Sequence, residues 1–153
     1  MRNEVDVAAY RRVAFGSIAC HYKQGVYYPL SHPSHINDRF FLGGPLDIRG
    51  FSTFGLGPKD KGDVLGGDLY YRSTFSYFLP FFHPLVKSQF FINAGQLMTL
   101  PHPNFTPSIS VGAGVAIGFS NARVECNYVF PLLCCKTDSF TSGVQFGIGG
   151  EFS

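Results

Sequence analysis

The second half of the chain alternates apolar and polar residues with a period of two. Between residues 109 and 119 every odd position is apolar, whereas the even positions hold Ser110, an alanine and three glycines. Similar alternation runs from Val86 to Gln96, from Ala122 to Phe130 and from Val144 to Phe152. A period of two places alternate side chains on opposite faces of a pleated strand. These four segments therefore predict β-strands.

The first half predicts strands less clearly. From Gly67 to Leu79 the alternation is weaker, and from Arg12 to Tyr28 it breaks near Ser17 although Val, Phe, Ile and Tyr are frequent. The short Ser120-Asn121 connection predicts a tight hairpin. The predicted fold class is all-β, with about six antiparallel strands, several of them close to the roughly 9–11 residues that cross a bilayer at a tilt.

Composition narrows the functional classes. Charged residues make up 14% of the chain and aromatic residues 16%, and the net charge is +2 without a basic block. The low charge and the scattered Lys and Arg argue against a nucleic-acid partner. The uninterrupted apolar runs are shorter than the roughly 20 residues of a transmembrane helix, so strands would have to cross any membrane. The N-terminus shows no apolar segment of the kind found in a signal peptide.

The polar faces of the predicted strands suit the inside of a barrel. They carry many glycines together with Arg123 and Glu125, which lie two residues apart on one face and predict a charge pair. Tyr and Phe cluster at strand ends, as in the aromatic girdles of membrane barrels. A soluble all-β binding module also alternates apolar and polar residues and remains an alternative.

One connection, residues 29–66 approximately, is much longer than the others and carries the most specific motif. Loops of this length inside a domain are usually functional or disordered. The loop contains the sequence Ile48-Arg49-Gly50-Phe51, called the tetrad below. The tetrad resembles the hallmark aliphatic-Arg-Gly-aromatic motif of the BamA-type barrels that assemble outer-membrane proteins. The segments 38–45, 91–95 and 143–147 are more similar to the mitochondrial branch of that family, the sorting and assembly machinery.

This resemblance implies a fold and a function. Residues 1–153 would form the C-terminal part of a bacterial-surface-antigen-type domain, a sixteen-stranded transmembrane β-barrel whose long loop folds inward. Five strands follow the loop, as the family pattern requires, while the preceding strands and the N-terminal POTRA domain would be absent. The function implied is insertion and assembly of β-barrel proteins in the mitochondrial outer membrane. The implied partners are the lipid bilayer, β-barrel precursors and metaxin-like accessory subunits, and we expect no enzyme activity, cofactor or metal.

Within such a barrel, Arg49 needs partners on the inner wall, because a buried guanidinium must be paired. The positions that are acidic in bacterial relatives hold Ser76 and Asn93 here, so neutral hydrogen bonds, Asp68 or Glu125 are the alternatives for docking the loop. In the last strand Gln145, Gly147 and Phe152 fit the terminal signal of mitochondrial barrel proteins. Gly150 stands where that signal has a large apolar residue.

Two further functions remain open at this level. A passive porin-like channel would also be a barrel with a polar interior, although the tetrad argues against it. The chain could also be a non-functional fragment or truncated isoform of the assembly barrel.

Overall fold

Seven antiparallel strands form one sheet in the computed structural model of the chain, which describes residues 1–28, 36–81, 85–100, 106–119 and 122–149. The strands in chain order are β1 Arg2–Val13, β2 Gly16–Tyr27, β3 Lys59–Asp60, β4 Asp63–Val64, β5 Leu69–Pro80, β6 Val86–Met98, β7 Ser108–Gly118, β8 Arg123–Leu133 and β9 Gly143–Gly149. The large sheet has the order β1-β2-β5-β6-β7-β8-β9, and β3 and β4 form a separate small hairpin. In the part of the chain that the structure describes, no helix is long and apolar enough to span a membrane.

The first strand was not predicted from the sequence. Strand β1 pairs with β2 along its whole length, and a turn at residues 14–15 separates the two. The sheet therefore has seven strands, whereas about six were predicted. The segment from Arg12 to Tyr28, which was expected to form one strand, contains the end of β1 and the whole of β2. The apolar residues Val5 and Val7 do alternate, but one face of β1 is rich in charge, and this gives the segment the appearance of a polar tail.

The five strands after the long loop confirm the prediction from periodicity. They are β5 to β9, each paired with its neighbour in sequence as in a meander. The predicted turn Ser120-Asn121 lies outside the described residues, but its flanks are paired, since Gly118 faces Arg123 across the hairpin. Phe152 also lies outside the described residues.

The two faces of the sheet differ in polarity. On the outer face, apolar side chains are exposed along the strands: Val5, Val7, Tyr22, Val26, Phe75, Phe90, Ile92, Val115, Tyr128, Phe130, Val144, Phe146 and Ile148. The long loop between β2 and β5 covers part of the opposite, inner face. An apolar outer face and a polar inner face are typical of a sheet that meets lipid.

The hydrophobic core lies between the long loop and the inner face. Its members are buried and belong mostly to the loop: Phe40, Leu42, Ile48, Phe51, Leu56, Tyr70 and Leu97. The rings of Phe40 and Tyr70 pack with their centroids 4.6 Å apart, which ties the start of the loop to β5. The loop is therefore a packed part of the fold.

The polarity of the two faces can be tested at one depth of one strand. Val7 points to the outer face and Ala8 to the inner face of β1. We expect Val7→Arg to lower the free energy of unfolding by about 2–4 kcal/mol, because a lipid-facing charge near the middle of a strand is costly. The matched control Ala8→Arg should change it little. Urea unfolding of the protein in phospholipid vesicles measures both, and equal losses would contradict a lipid-facing outer surface.

Candidate functional site: the loop docked on the inner face

Backbone hydrogen bonds fold the long loop back on itself where it approaches the inner face of the sheet, which is called the wall below. Phe40 and Gly67 form a reciprocal pair of backbone hydrogen bonds of 2.8 and 2.9 Å, and the Leu56 N–H donates to the Leu42 carbonyl at 3.1 Å. These contacts bring the tetrad to the sheet. Ile48 and Phe51 are fully buried, and Ile48 occupies the space above Gly95 of β6, where an added Cβ would overlap the Ile48 Cδ1.

Gly50 is required by its conformation and its surroundings. Its φ of +90° lies in the region that glycine adopts without steric cost. An added Cβ would lie 2.9 Å from the Val129 Cγ1 and 3.0 Å from the Ser110 Cβ. The Gly50 N–H donates to the Gln145 Oε1 at 2.9 Å. The backbone of the tetrad therefore touches β7, β8 and the last strand.

Arg49 forms a buried ion pair with the wall. Its side chain is 10% exposed, and its Nε and Nη2 donate to the Glu125 Oε2 at 3.0 and 2.6 Å. The Ser110 hydroxyl donates to the Arg49 carbonyl oxygen. A buried guanidinium remains charged, so the docked loop is stable only if charge-assisted hydrogen bonds replace the lost hydration of the cation.

Glu125 is also the centre of a polar network on β6 and β8. The Gln89 Nε2 and the Asn127 Nδ2 donate to its Oε2 at 3.1 and 2.9 Å, and the Arg123 Nε lies 2.8 Å from its Oε1. Gln89 and Asn127 also bond to each other. The carboxylate thus lies between two guanidinium groups and is bound by two amides.

Two aromatic rings lie against the cations of this cluster, which holds two positive charges and one negative charge. The Arg49 Cζ lies 4.7 Å from the Phe91 ring centroid, and the Arg123 Cζ lies 5.0 Å from that of Phe78. The negative face of an aromatic ring attracts a cation, and more strongly away from water. The rings therefore offset part of the excess positive charge.

The predicted docking residues have different environments. Of the four, Glu125 binds Arg49. Asp68 accepts from the Leu100 N–H at 3.1 Å and lies 3.9 Å from the Arg39 Nε. Ser76 is buried and, like Arg49, lines a cavity of about 230 Å³ on the inner face. Asn93 is fully buried, and in the described part of the chain its amide has no hydrogen-bond partner.

The terminal strand meets the loop through its inward side chains. Gln145 is buried and accepts from Gly50, as described above. Gly147 leaves room for Leu46 of the loop, because an added Cβ would lie 2.9 Å from the Leu46 Cδ2. Phe152 and Gly150 lie outside the described residues.

Several contacting residues were not identified from the sequence. Gln89 and Asn127 lie on either side of Gly114 in the register of β6, β7 and β8, and the absence of a side chain at Gly114 lets the two amides meet. This signal is visible only once the strands are aligned. Phe91 offered a simpler signal, since it is an aromatic residue on an otherwise polar face.

A second ion pair also joins the loop to the wall, between Asp47 and Arg72 of β5. Asp47 accepts from the Gly43 N–H at 2.8 Å as well, so it closes a turn of the loop. Among the residues that the structure describes, no group of three or more His, Cys, Asp or Glu could hold a metal ion.

Comparison with known proteins identifies relatives along most of the chain. The family model described as the Omp85 superfamily domain matches residues 4–152. The sorting and assembly machinery component 50 homolog of Xenopus tropicalis is 39% identical over 78% of this chain and 30% of its own length. The human homolog is 34% identical over 99% of this chain and 37% of its own length. The sorting assembly machinery 50 kDa subunit of Saccharomyces cerevisiae is 39% identical over 80% of this chain and 28% of its own length.

A solved structure has the same fold. BamA from Haemophilus ducreyi lacking POTRA domains 1–3 superposes with a TM-score of 0.81 over 97% of this chain and 34% of its own chain, at 16% sequence identity. At that identity the likeness shows the fold alone. The chain spans about a third of the length of the curated relatives that it matches.

A double-mutant cycle tests the Arg49–Glu125 pair. We expect Arg49→Ala and Glu125→Gln each to lower the free energy of opening of the long loop. In the double variant the loss should be smaller than the sum of the two single losses by about 0.5–3 kcal/mol, because the two substitutions remove the same interaction. Native-state proteolysis of the loop in urea measures the opening free energy. Lys61→Ala, which removes an exposed positive charge from the same loop, is the control. Additive effects would show that the two side chains act independently.

Proposed function

The chain belongs to the Omp85 superfamily of outer-membrane β-barrels, and on that premise we propose that it is a component of the machinery that inserts and assembles β-barrel proteins into the mitochondrial outer membrane. The observation that carries the proposal is the docked tetrad, in which Arg49 binds Glu125 and Gly50 binds the terminal strand. A loop that only linked two strands would not need a buried charge, which is costly unless it is fully paired.

The proposed action is templated strand pairing and needs no enzymatic chemistry. Strand β9 is one edge of the sheet in the described residues, with β8 on its other side. In a membrane, unpaired backbone groups at a strand edge are costly because no water is available to bind them. An incoming strand that pairs with the edge removes this cost, as in other cases of β-augmentation. In the complete barrel, the first and last strands would meet at a seam, which would open to expose the edge and close after the new strand has left.

Residues of the last strand would set the state of this seam. We assign two roles to Gln145, Gly147 and Phe152. They form the gate, meaning the residues that hold this seam closed or let it open, and they belong to the terminal signal of mitochondrial barrel proteins. Gln145 supports this role because its side chain is buried against the loop, and Gly147 because it leaves room for Leu46. The tetrad and the gate would then form one site on the inner face.

The proposed partners follow from the same function. The outer face would contact the lipid bilayer, and β-barrel precursors would be the substrates. Accessory subunits of the metaxin-like kind would complete the complex. The relatives support the mitochondrial location, because several of them are components of the sorting and assembly machinery.

A passive channel is the second candidate. A cavity of about 460 Å³ on the inner face favours it, because charged side chains of both signs line it, among them Arg2, Glu4, Lys23, Arg39 and Arg72. Planar-bilayer conductance separates the two functions. A steady ionic conductance without any effect of the protein on precursor assembly would favour the channel.

Two glycines of the loop provide a matched test of the assembly function. Gly50 and Gly62 have similar φ values of +90° and +99°, but only Gly50 abuts the wall, and the space around Gly62 is open. An added methyl at a packed position costs about 1–3 kcal/mol, which corresponds to a change of roughly 5- to 150-fold in the equilibrium between the docked and the undocked loop.

We therefore expect Gly50→Ala to slow the assembly of a radiolabelled β-barrel precursor by roughly 5- to 150-fold, and Gly62→Ala to slow it much less. Native electrophoresis of mitochondria that carry each variant in place of the native protein measures the assembled product. Equal rates for the two variants would remove the docked loop from the mechanism.

A further inference from the structure

The connection between β8 and β9, residues 134–142, lies along the long loop and pairs with it. The Ser52 N–H donates to the Ser139 carbonyl at 3.0 Å, the Ser139 N–H donates to the Gly55 carbonyl at 2.8 Å, and the Thr141 N–H donates to the Gly50 carbonyl at 3.0 Å. Between them Phe51 and Phe140 form an antiparallel bridge. Backbone hydrogen bonds from the β8–β9 connection thus bind the end of the tetrad, at Gly50, and the residues that follow it.

The side chain of Asp138 joins three segments next to this ladder. Its Oδ1 accepts from the Gly57 N–H of the long loop at 3.1 Å. Its Oδ2 accepts from the Cys135 N–H at 3.0 Å and from the hydroxyl of the buried Ser108 at the start of β7. The Asp138 N–H also donates to the Cys135 carbonyl at 3.0 Å, so that its backbone and side chain close the same turn.

We propose that Asp138 is a positioning residue that holds the long loop in register with the β8–β9 connection and thereby keeps the tetrad docked. The proposal rests on the proposed function for its consequence, that a correctly placed loop is needed for precursor assembly. Asp138 lies outside both the tetrad and the inner-wall cluster around Glu125.

The chemistry of the site selects a carboxylate on a short side chain. Three donors converge on its two oxygens, and an ionised carboxylate has only acceptors to offer them. In the variant Asp138→Asn, the new amide would keep one acceptor and turn an NH₂ group toward one of the donors. Gly57 cannot move away easily, because it has a φ of +101° and packs against Leu97 of β6.

The register of the loop can be measured directly by cross-linking. The hydroxyls of Ser52 and Thr141 lie 3.1 Å apart, so Ser52→Cys with Thr141→Cys should form a disulfide in the docked state. The experiment uses the full protein in native membranes, with the four native cysteines replaced by serine. We expect Asp138→Ala to lower the cross-linking rate roughly tenfold or more, as the loss of charge-assisted hydrogen bonds predicts, and Asp138→Asn to have an intermediate effect.

Two variants guard against a trivial loss of folding. Asp60→Asn removes an exposed carboxylate from the β3–β4 hairpin of the same loop and should leave the cross-link unchanged. Ser108→Ala removes one of the three donors while it keeps the carboxylate, and it should lower the cross-linking rate less than Asp138→Ala. If Asp138→Ala fails to accumulate in membranes, Ser108→Ala takes its place in the comparison.

The outcomes separate this proposal from the proposed function. An unchanged cross-linking rate in Asp138→Ala, or in Ser108→Ala where that variant replaces it, overturns the positioning role and leaves the Gly50→Ala assembly test unaffected, because cross-linking needs no precursor. A lower rate with normal precursor assembly overturns the claim that this register serves assembly. A lower rate together with slower assembly supports the proposal.

Discussion

The Arg49 side chain is 10% exposed, so its guanidinium has lost most of its hydration, and the contacts on the described inner face compensate for this loss. Taking an ion from water costs several kcal/mol, which only good geometry with additional hydrogen bonds can offset. The carboxylate that binds Arg49 belongs to β8 and is 76 residues away in the chain. Strands β5 to β8 must therefore pair in one register for the loop to dock. The amides around Glu125 and the aromatic rings over the two arginines are then understood as parts of one electrostatic arrangement.

The same constraint explains why the core is on the polar side of the sheet. The outer face is apolar and exposed, whereas the inner face carries charge, which is the reverse of a soluble sheet that packs its apolar face. The long loop supplies five of the seven core residues and brings them to the inner face beside Arg49. Apolar packing and the ion pair therefore both depend on the docked position of the loop. Each supports the other, because the packed loop keeps water away from the charges.

Sequence reasoning predicted the five later strands because four of them have a regular period of two, the first of the five has a weaker one, and turn residues lie between them. It missed β1, whose charged inner face hides the alternation of Val5 and Val7. The tetrad could be found as a local motif, but its partner could not. Alignment with bacterial relatives indicated Ser76 and Asn93, and Glu125 was one of two further acidic candidates. Which carboxylate meets a loop arginine depends on loop conformation and strand register together, and neither is written in local sequence.

The contacts between the loop and β9 are compatible with the strand pairing that we propose for the β9 edge. Gln145 and Gly147 contact the loop on the inner face of β9, in a direction perpendicular to the sheet. The hydrogen bonds of a strand ladder, by contrast, lie in the plane of the sheet. The loop therefore stabilises the position of β9 without using the backbone groups with which a further strand would pair.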